Sequence, residues 1–183
     1  MDENPATSHF SSPIPADNLQ RDVTVVSPDK DRSLPHIGIA DGTYTILLGG
    51  ANTDGKYCLI DMLVLPGGGP PPHRHDFEES FTLLEGEVEA TFRGKKSIVR
   101  TGETIHIPAN SPHFFTNASK QPARLLCICA PAGQEELFRA IGVPVAARTT
   151  PPPKPDQVGE NETKAKIAAL LPRYRTEMVK PGS

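Results

Sequence analysis

The sequence predicts an all-β fold, a small barrel or sandwich of about 95 residues with an extended arm before it and a short helical tail after it. Three observations predict this. Short apolar runs follow one another closely between residues 37 and 131, several with period-two alternation. Fifteen glycines and 20 prolines among 183 residues cut the chain into short pieces and supply turns. Helical spacing shows only after Pro131.

Taken in order, residues 1–36 are polar and proline-punctuated. Their one β-like run, Asp22–Val26, could pair with an edge of its own barrel or of a neighbour's. The compact part, residues 37–131, begins near Ile37. Thr43–Leu48 reads as a strand ending at Gly49-Gly50. Lys56–Leu65 is apolar on both faces, which suits a strand covered on both sides, between two sheets or within a layered dimer. Pro66–Pro72 breaks it. Ser80–Leu84 is a strand, Glu85-Gly86-Glu87 a turn, and Val88, Ala90 and Phe92 alternate with polar residues on a strand with one wet face. Arg93-Gly94-Lys95-Lys96 makes a hairpin turn. Ser97–Arg100, Thr104–Ile107, Phe114–Asn117 and Arg124–Ala130 complete the strands.

Residues 132–183 differ in character. Gln134–Ile141 has helical spacing through Leu137, Phe138 and Ile141 and stops at Gly142. The triple proline within Thr149–Pro155 is a stiff linker. Glu162–Leu171 is a second helix, with Tyr174–Val179 as its extension beyond a break at Pro172.

Composition narrows the function. The net charge is −3 and no basic stripe is visible, which argues against nucleic acid as a partner. No run approaches the length of a membrane span. The N-terminal residues lack a positive, then apolar, leader pattern, and Cys58, Cys127 and Cys129 read as reduced thiols buried in apolar runs. A cytoplasmic protein is the expectation.

The chemistry concentrates in Pro71–Glu87, PPHRHDFEESFTLLEGE. Side chains alternate faces along a strand, so His73, His75 and Glu79 share one face while Asp76 and Glu78 point to the other. Phe81 and Leu83 follow on the inner face. Two imidazoles and a carboxylate on one face suit divalent iron and similar metals. His113 opens a later strand, with Phe115 and Asn117 on its face, and supplies a third imidazole. His106 reads as an exposed or supporting partner rather than a ligand; His9 and His36 lie in the arm; Arg74 faces away and suits an ion pair.

These residues resemble the two motifs of the cupin family. The first runs from Gly67 through His73, His75 and Glu79 to Gly86; the second runs from Gly102 through Pro108 to His113 and Asn117. One position departs: Asn110 stands where the family has glycine, a mild change because asparagine tolerates left-handed backbone. The resemblance implies a double-stranded β-helix, the cupin jelly roll, with one divalent transition metal held by His73, His75, Glu79 and His113. Four protein ligands would close a tetrahedral zinc site but leave open positions on octahedral iron, manganese or nickel, which are therefore the expected metals, with zinc or nickel in a recombinant sample. Phe81, Leu83, Phe92 and Phe115, with Tyr57 or Met62, would line an apolar substrate pocket suited to an aromatic small molecule.

The H-R-H-x3-E and L-E-G-E stretches and the alanine- and leucine-rich tail resemble quercetin 2,3-dioxygenase-like cupins in particular. That resemblance implies a dioxygenase in which Glu79 is both ligand and general base. The alternatives are a small-molecule binding or sensing cupin and a cupin isomerase or decarboxylase. A homodimer is the expected assembly.

Overall fold

The structure, a computed structural model, describes residues 13–154 and 157–180. His9, the first twelve residues of the predicted arm and Pro155 of the linker lie outside the described residues.

The strands are β1 (His36–Ile39), β2 (Gly42–Leu48), β3 (Cys58–Val64), β4 (His73–His75), β5 (Glu78–Glu85), β6 (Glu87–Phe92), β7 (Lys95–Arg100), β8 (Thr104–Ile107), β9 (His113–Thr116), β10 (Ala123–Ala130), β11 (Val143–Pro144) and β12 (Thr176–Met178). They form two antiparallel sheets. The larger has the order β11-β1-β2-β3-β10-β5-β8 and the smaller β12-β4-β9-β6-β7. The sheets pack face to face as a jelly roll.

Alternation builds the core between them. Along β10, Ala123, Leu125, Cys127 and Cys129 are buried, while Arg124, Leu126 and Ile128 face outward. β3 contributes Cys58, Ile60, Met62 and Val64, β5 contributes Phe81 and Leu83, and the opposite sheet adds Val88, Ala90, Val99 and Phe115. The second face of β3 is only partly covered, which corrects the expected double burial: Leu59 and Leu63 are half-exposed there. Asp61, on that face, is buried by two guanidiniums. Arg124 donates to its two oxygens at 2.9 and 2.7 Å, and Arg148 reaches Oδ2 at 3.3 Å.

Helices α1 (Gly50–Thr53), α2 (Gln134–Ile141) and α3 (Gln157–Leu170) lie outside the sheets in sequence order. α2 has the predicted bounds and ends at Gly142. The last segment departs from expectation. The chain leaves α3 through a 3-10 turn at Leu171–Tyr174 and then forms β12, not a further length of helix. β12 pairs antiparallel with β4, setting Thr176 against His75 and Met178 against His73. Arg175 in left-handed conformation (φ 57°) turns the chain into that strand, and its guanidinium pairs with Asp76.

The described part of the arm, residues 13–35, forms no strand, so Asp22–Val26 pairs with no edge of its own barrel. Ile14, Leu19, Val23 and Val25 are each more than 80% exposed. Arg21 donates to the Asn52 carbonyl at 3.1 Å, Asp29 pairs with Arg148 at 2.5 Å, and the Pro35 carbonyl accepts from the Ile46 amide at 3.1 Å. Among the described residues, no helix is long and apolar enough to cross a membrane.

Candidate metal centre

β4, β5 and β9 bring the site together. Glycine and proline residues separate β3 from β4, so His73 and His75 fall on a three-residue strand whose partner across the sheet is β9, with His73 opposite His113. Gly69 permits this approach: at φ 143° its Cα passes so close to Phe115 that a Cβ there would lie 2.0 Å from the Phe115 carbonyl oxygen. The Asn110 turn locks the second motif onto the first. Its φ of 67° is left-handed, as its place in the motif demands, and its amide donates to the His75 carbonyl at 2.6 Å.

His73, His75, Glu79 and His113 each offer one donor atom, and these four atoms all lie within 4.8 Å of one another. His75, Glu79 and His113 are buried and His73 is half-buried. Each imidazole is aimed by a backbone carbonyl: Nδ1 of His73 bonds Pro71 at 2.9 Å, Nδ1 of His75 bonds Phe77 at 2.9 Å, and Nδ1 of His113 bonds Ser111 at 2.8 Å. A carbonyl can only accept, so these contacts place the proton on Nδ1 and turn the Nε2 lone pair inward. The stacked Phe77 ring, 3.7 Å from that of His75, fixes the imidazole plane further.

Inside, Nε2 of His75 and of His113 stand 3.1 and 3.2 Å from Glu79 Oε2. Three acceptors would then face one another at contact distance. Such a cluster needs positive charge at its centre, carried by a proton or by a cation. The donor set, nitrogen and oxygen with Nδ1 anchored outside, fits a divalent transition metal.

The electrostatics agree. Burial resists ionisation of Glu79, but with a proton carried at that centre, hydrogen bonds from His113 and His75 outweigh it and hold the carboxyl well below its ordinary range. Burial, then repulsion from His113, lowers His73 to about 4, so its lone pair is free at neutral pH. The other Glu79 oxygen faces sulfur. Oε1 lies 3.4 Å from Cys127 Sγ and 3.5 Å from Cys129 Sγ. Although its contact with Cys129 works the other way, burial and the Glu79 charge push the Cys127 thiol up to about 12, so it remains an S–H donor. All three cysteines are free and buried.

A cavity of about 180 Å³ opens beside the centre, with His73 and Glu79 on its wall. Phe81 and Phe115, predicted as pocket residues, line it, and their rings meet edge to face at 5.3 Å. Met62 lines it as well. Leu83 and Phe92 do not: Leu83 is sealed in the core at 1% exposure, and Phe92 packs on the core from the β6 end. Tyr57, 39% exposed, is also elsewhere. His106 is exposed on β8, bonded to Ser80 and Glu78, and Arg74 pairs with Glu177 of β12, so neither joins the donor cluster.

Much of the wall comes from segments outside the predicted pocket. α2 supplies Gln134, Leu137, Phe138 and Ile141, α3 supplies Ile167, and Leu171, Thr176 and Met178 follow. For α2 a signal existed, because Gln134 lies three and four residues before Leu137 and Phe138, on the same helical stripe.

Comparison with known proteins agrees with this geometry. The family model described as "Cupin domain" matches residues 60–129. Quercetin 2,3-dioxygenase of Bacillus subtilis (strain 168) is 28% identical over 142 residues, covering 75% of this chain and 41% of that protein. An uncharacterised protein of Methanocaldococcus jannaschii is 33% identical over 82 residues, covering 44% of this chain and 66% of the other. The chain thus spans less than half the length of the Bacillus enzyme. The polyketide cyclase RemF from Streptomyces resistomycificus superposes with a TM-score of 0.53 at 21% identity, over 79% of this chain and 98% of that one, which shows a shared fold. With both motifs on one jelly roll and four donor side chains converging from β4, β5 and β9, the chain is a member of the cupin superfamily.

Proposed function

We propose that the protein is a metal-dependent dioxygenase acting on an apolar small molecule with an acidic hydroxyl, an enol or a phenol. The observation that carries this is the position of Glu79, which belongs to the donor cluster through Oε2 and also reaches the wall of a cavity otherwise lined largely by aliphatic and aromatic side chains. His73, His75, Glu79 and His113 would hold iron, manganese or nickel in the cell, and such a metal, when bound, supplies Lewis acidity and redox chemistry toward dioxygen. Glu79 is the candidate base. A carboxylate on the cavity wall can accept a proton from an acidic enol or phenol far more readily than from an alkyl alcohol. The local similarity to a quercetin dioxygenase supports the same reaction class.

The test is oxygen uptake by iron-, manganese- or nickel-loaded protein with enol and phenol substrates. Consumption of one dioxygen per substrate, with both oxygen atoms in the product, supports the reading. Binding without oxygen uptake sinks it in favour of a non-catalytic binding cupin, and product formation without oxygen in favour of an isomerase or decarboxylase. We also propose a homodimer, because Val23 and Val25 of the arm stand exposed in an extended, strand-like run that a second copy could cover. Light scattering tests this; a monomer at micromolar concentration overturns it.

A further inference from the structure

Resting on the reading of this cavity as the site of an enol or phenol, we propose that Tyr44 is its specificity-determining residue and donates its phenolic O–H to a second, carbonyl oxygen of the substrate. The substrate class is then a hydroxylated aromatic or enolic ketone and not a simple phenol. Two observations carry this: the hydroxyl is free, and its position is fixed.

β2 places three hydroxyl-bearing side chains in succession, Thr43, Tyr44 and Thr45, and all three are buried. Alternation sends the two threonines to one face, and both are partnered there. Thr43 Oγ1 donates to the Thr150 carbonyl at 2.6 Å, and Thr45 Oγ1 meets His36 Nδ1 at 2.8 Å. Tyr44 turns to the other face, into the core, and its Oη has no hydrogen-bond partner among the described residues. It is not sealed off either. The buried side-chain oxygens that lack both a partner and accessible surface are Asp76 Oδ1, Thr91 Oγ1 and Gln134 Oε1. The unbonded Tyr44 Oη therefore keeps accessible surface, and Tyr44 lines the cavity beside the donor cluster. The other hydroxyl on that wall, Thr176 Oγ1, already donates to the Tyr174 carbonyl at 3.1 Å.

The tyrosine is also held in place. Gly42, two residues earlier on the same face of β2, leaves it a slot: a Cβ there would lie 3.0 Å from Tyr44 Oη and 3.1 Å from Cε2. Phe138 of α2 holds the ring from another side, with centroids 4.7 Å apart. A donor fixed in this way needs little further ordering when a ligand arrives.

The chemistry matches the substrate class. Burial pushes the Tyr44 phenol above its ordinary value, so the group stands as O–H at neutral pH. Glu79 faces the same cavity. When the ligand's O–H bond breaks and its proton passes to the Glu79 carboxylate, the electron pair stays on the ligand. Conjugation spreads that charge onto a carbonyl oxygen, where a fixed O–H donor stabilises it. A ligand with a methylene in place of the carbonyl leaves Oη unpaired, at roughly a tenfold loss of affinity.

The test compares 2-, 3- and 4-hydroxyacetophenone, each with the ethylphenol of the same ring position, which has a methylene where the ketone has its carbonyl. Binding is measured by calorimetry on the full chain, zinc-loaded and metal-free, so that no turnover is needed. At least one ketone is expected to bind wild type about tenfold more tightly than its ethylphenol. In Tyr44→Phe that preference is expected to vanish, with the affinities for the ethylphenols and for zinc unchanged. Because the lost hydroxyl has no protein partner, the thermal midpoint of metal-free Tyr44→Phe is expected at or above that of wild type. A midpoint lowered by several degrees shows a structural hydroxyl and overturns the proposal. So does a preference that Tyr44→Phe retains, the lack of any preference in wild type, or the failure of all these phenols to bind at millimolar concentration. A Tyr44-dependent preference with no oxygen uptake by iron-loaded protein supports Tyr44 and overturns only the dioxygenase reading.

Discussion

Cys127 Sγ lies 3.4 Å from Glu79 Oε1, on the opposite side of the carboxylate from the histidines. Cys129 makes the same contact at 3.5 Å. The two thiols of β10 therefore occupy one oxygen and leave the other to face the imidazoles. Replacing both by valine keeps an apolar core but leaves a buried carboxylate oxygen without donors. We expect the double variant to lose metal affinity by about tenfold, as outer partners of metal ligands commonly do. Competition against a chromophoric chelator measures it, and a double serine variant, which restores donors, should recover most of the loss. Equal affinity in the valine variant would show that the thiols do not orient Glu79.

Chelation gives a second readout of the centre. A metal that binds the native state alone stabilises it by about 4 kcal/mol at a thousandfold excess over its Kd. Removing metal from loaded protein should therefore lower the thermal midpoint by several degrees. In His113→Ala, metal addition should raise it little.

Gly69, in the loop before β4, lies directly against Phe115 of β9. An alanine Cβ would meet the Phe115 carbonyl oxygen at 2.0 Å, and the φ of 143° is itself strained for a side chain. Gly69→Ala should destabilise the fold by about 3 kcal/mol or more, and it should also weaken metal binding because His113 sits two residues from Phe115. Chemical denaturation together with the chelator assay checks both. Asn110→Gly, by contrast, places glycine in a left-handed turn that already exists, and its stability should change by less than about 1 kcal/mol.

Asp61 is buried beneath Arg124 and Arg148, and Arg148 also carries the arm through Asp29. Asp61→Ala removes the anion and leaves two guanidiniums against the sheet. The expected loss is about 3–5 kcal/mol, the range for breaking one partner of a buried pair. Urea unfolding measures it, and limited proteolysis within residues 13–35 should become faster as Arg148 loses its second partner.

Glu135 supplies a pH dependence independent of the metal. Burial opposes its ionisation, but the amides of Gly50 at 2.6 Å and Gly133 at 2.8 Å donate to it and hold its carboxyl below the ordinary 4.5. With the folded value depressed, its contribution is complete above about pH 4.5 and disappears as pH falls through the folded value. Glu135→Gln should therefore destabilise the metal-free protein by about 2 kcal/mol at pH 7, and the gap from wild type should narrow below pH 4.5. Thermal unfolding across pH 3–8 tests the sign; a gap that widens toward acid would contradict it.

The donor cluster was legible in the sequence through the spacing of the two motifs. Strand parity explains only part of it: His73 and His75 share a face of β4, but Glu79 reaches them from β5 in the opposite sheet, so the expectation of one continuous strand face is corrected. His113 follows a turn whose left-handed residue, Asn110, is visible as a residue type. The strands from Thr43 to Ala130 and the bounds of α2 were readable because periodicity and turn residues report local backbone. What β12 does was not readable. TEM carries no strand pattern of its own, and its state is fixed by the unpaired edge of β4 about a hundred residues earlier, through the register of Thr176 with His75.

The pocket divides along the same line. Phe81 and Phe115 could be placed by face alone, whereas Leu83, on that face too, is lost into the core because the barrel closes over it. The sequence by itself determined the fold class and the four groups that meet at the centre. Only the tertiary structure decided that thiols of β10 face Glu79, that Glu79 meets the histidines from the opposite sheet, and that the tail lines the cavity beside the centre. Those facts arise from chain segments that meet across long loops, where the free energy of packing and not any local preference selects the neighbour.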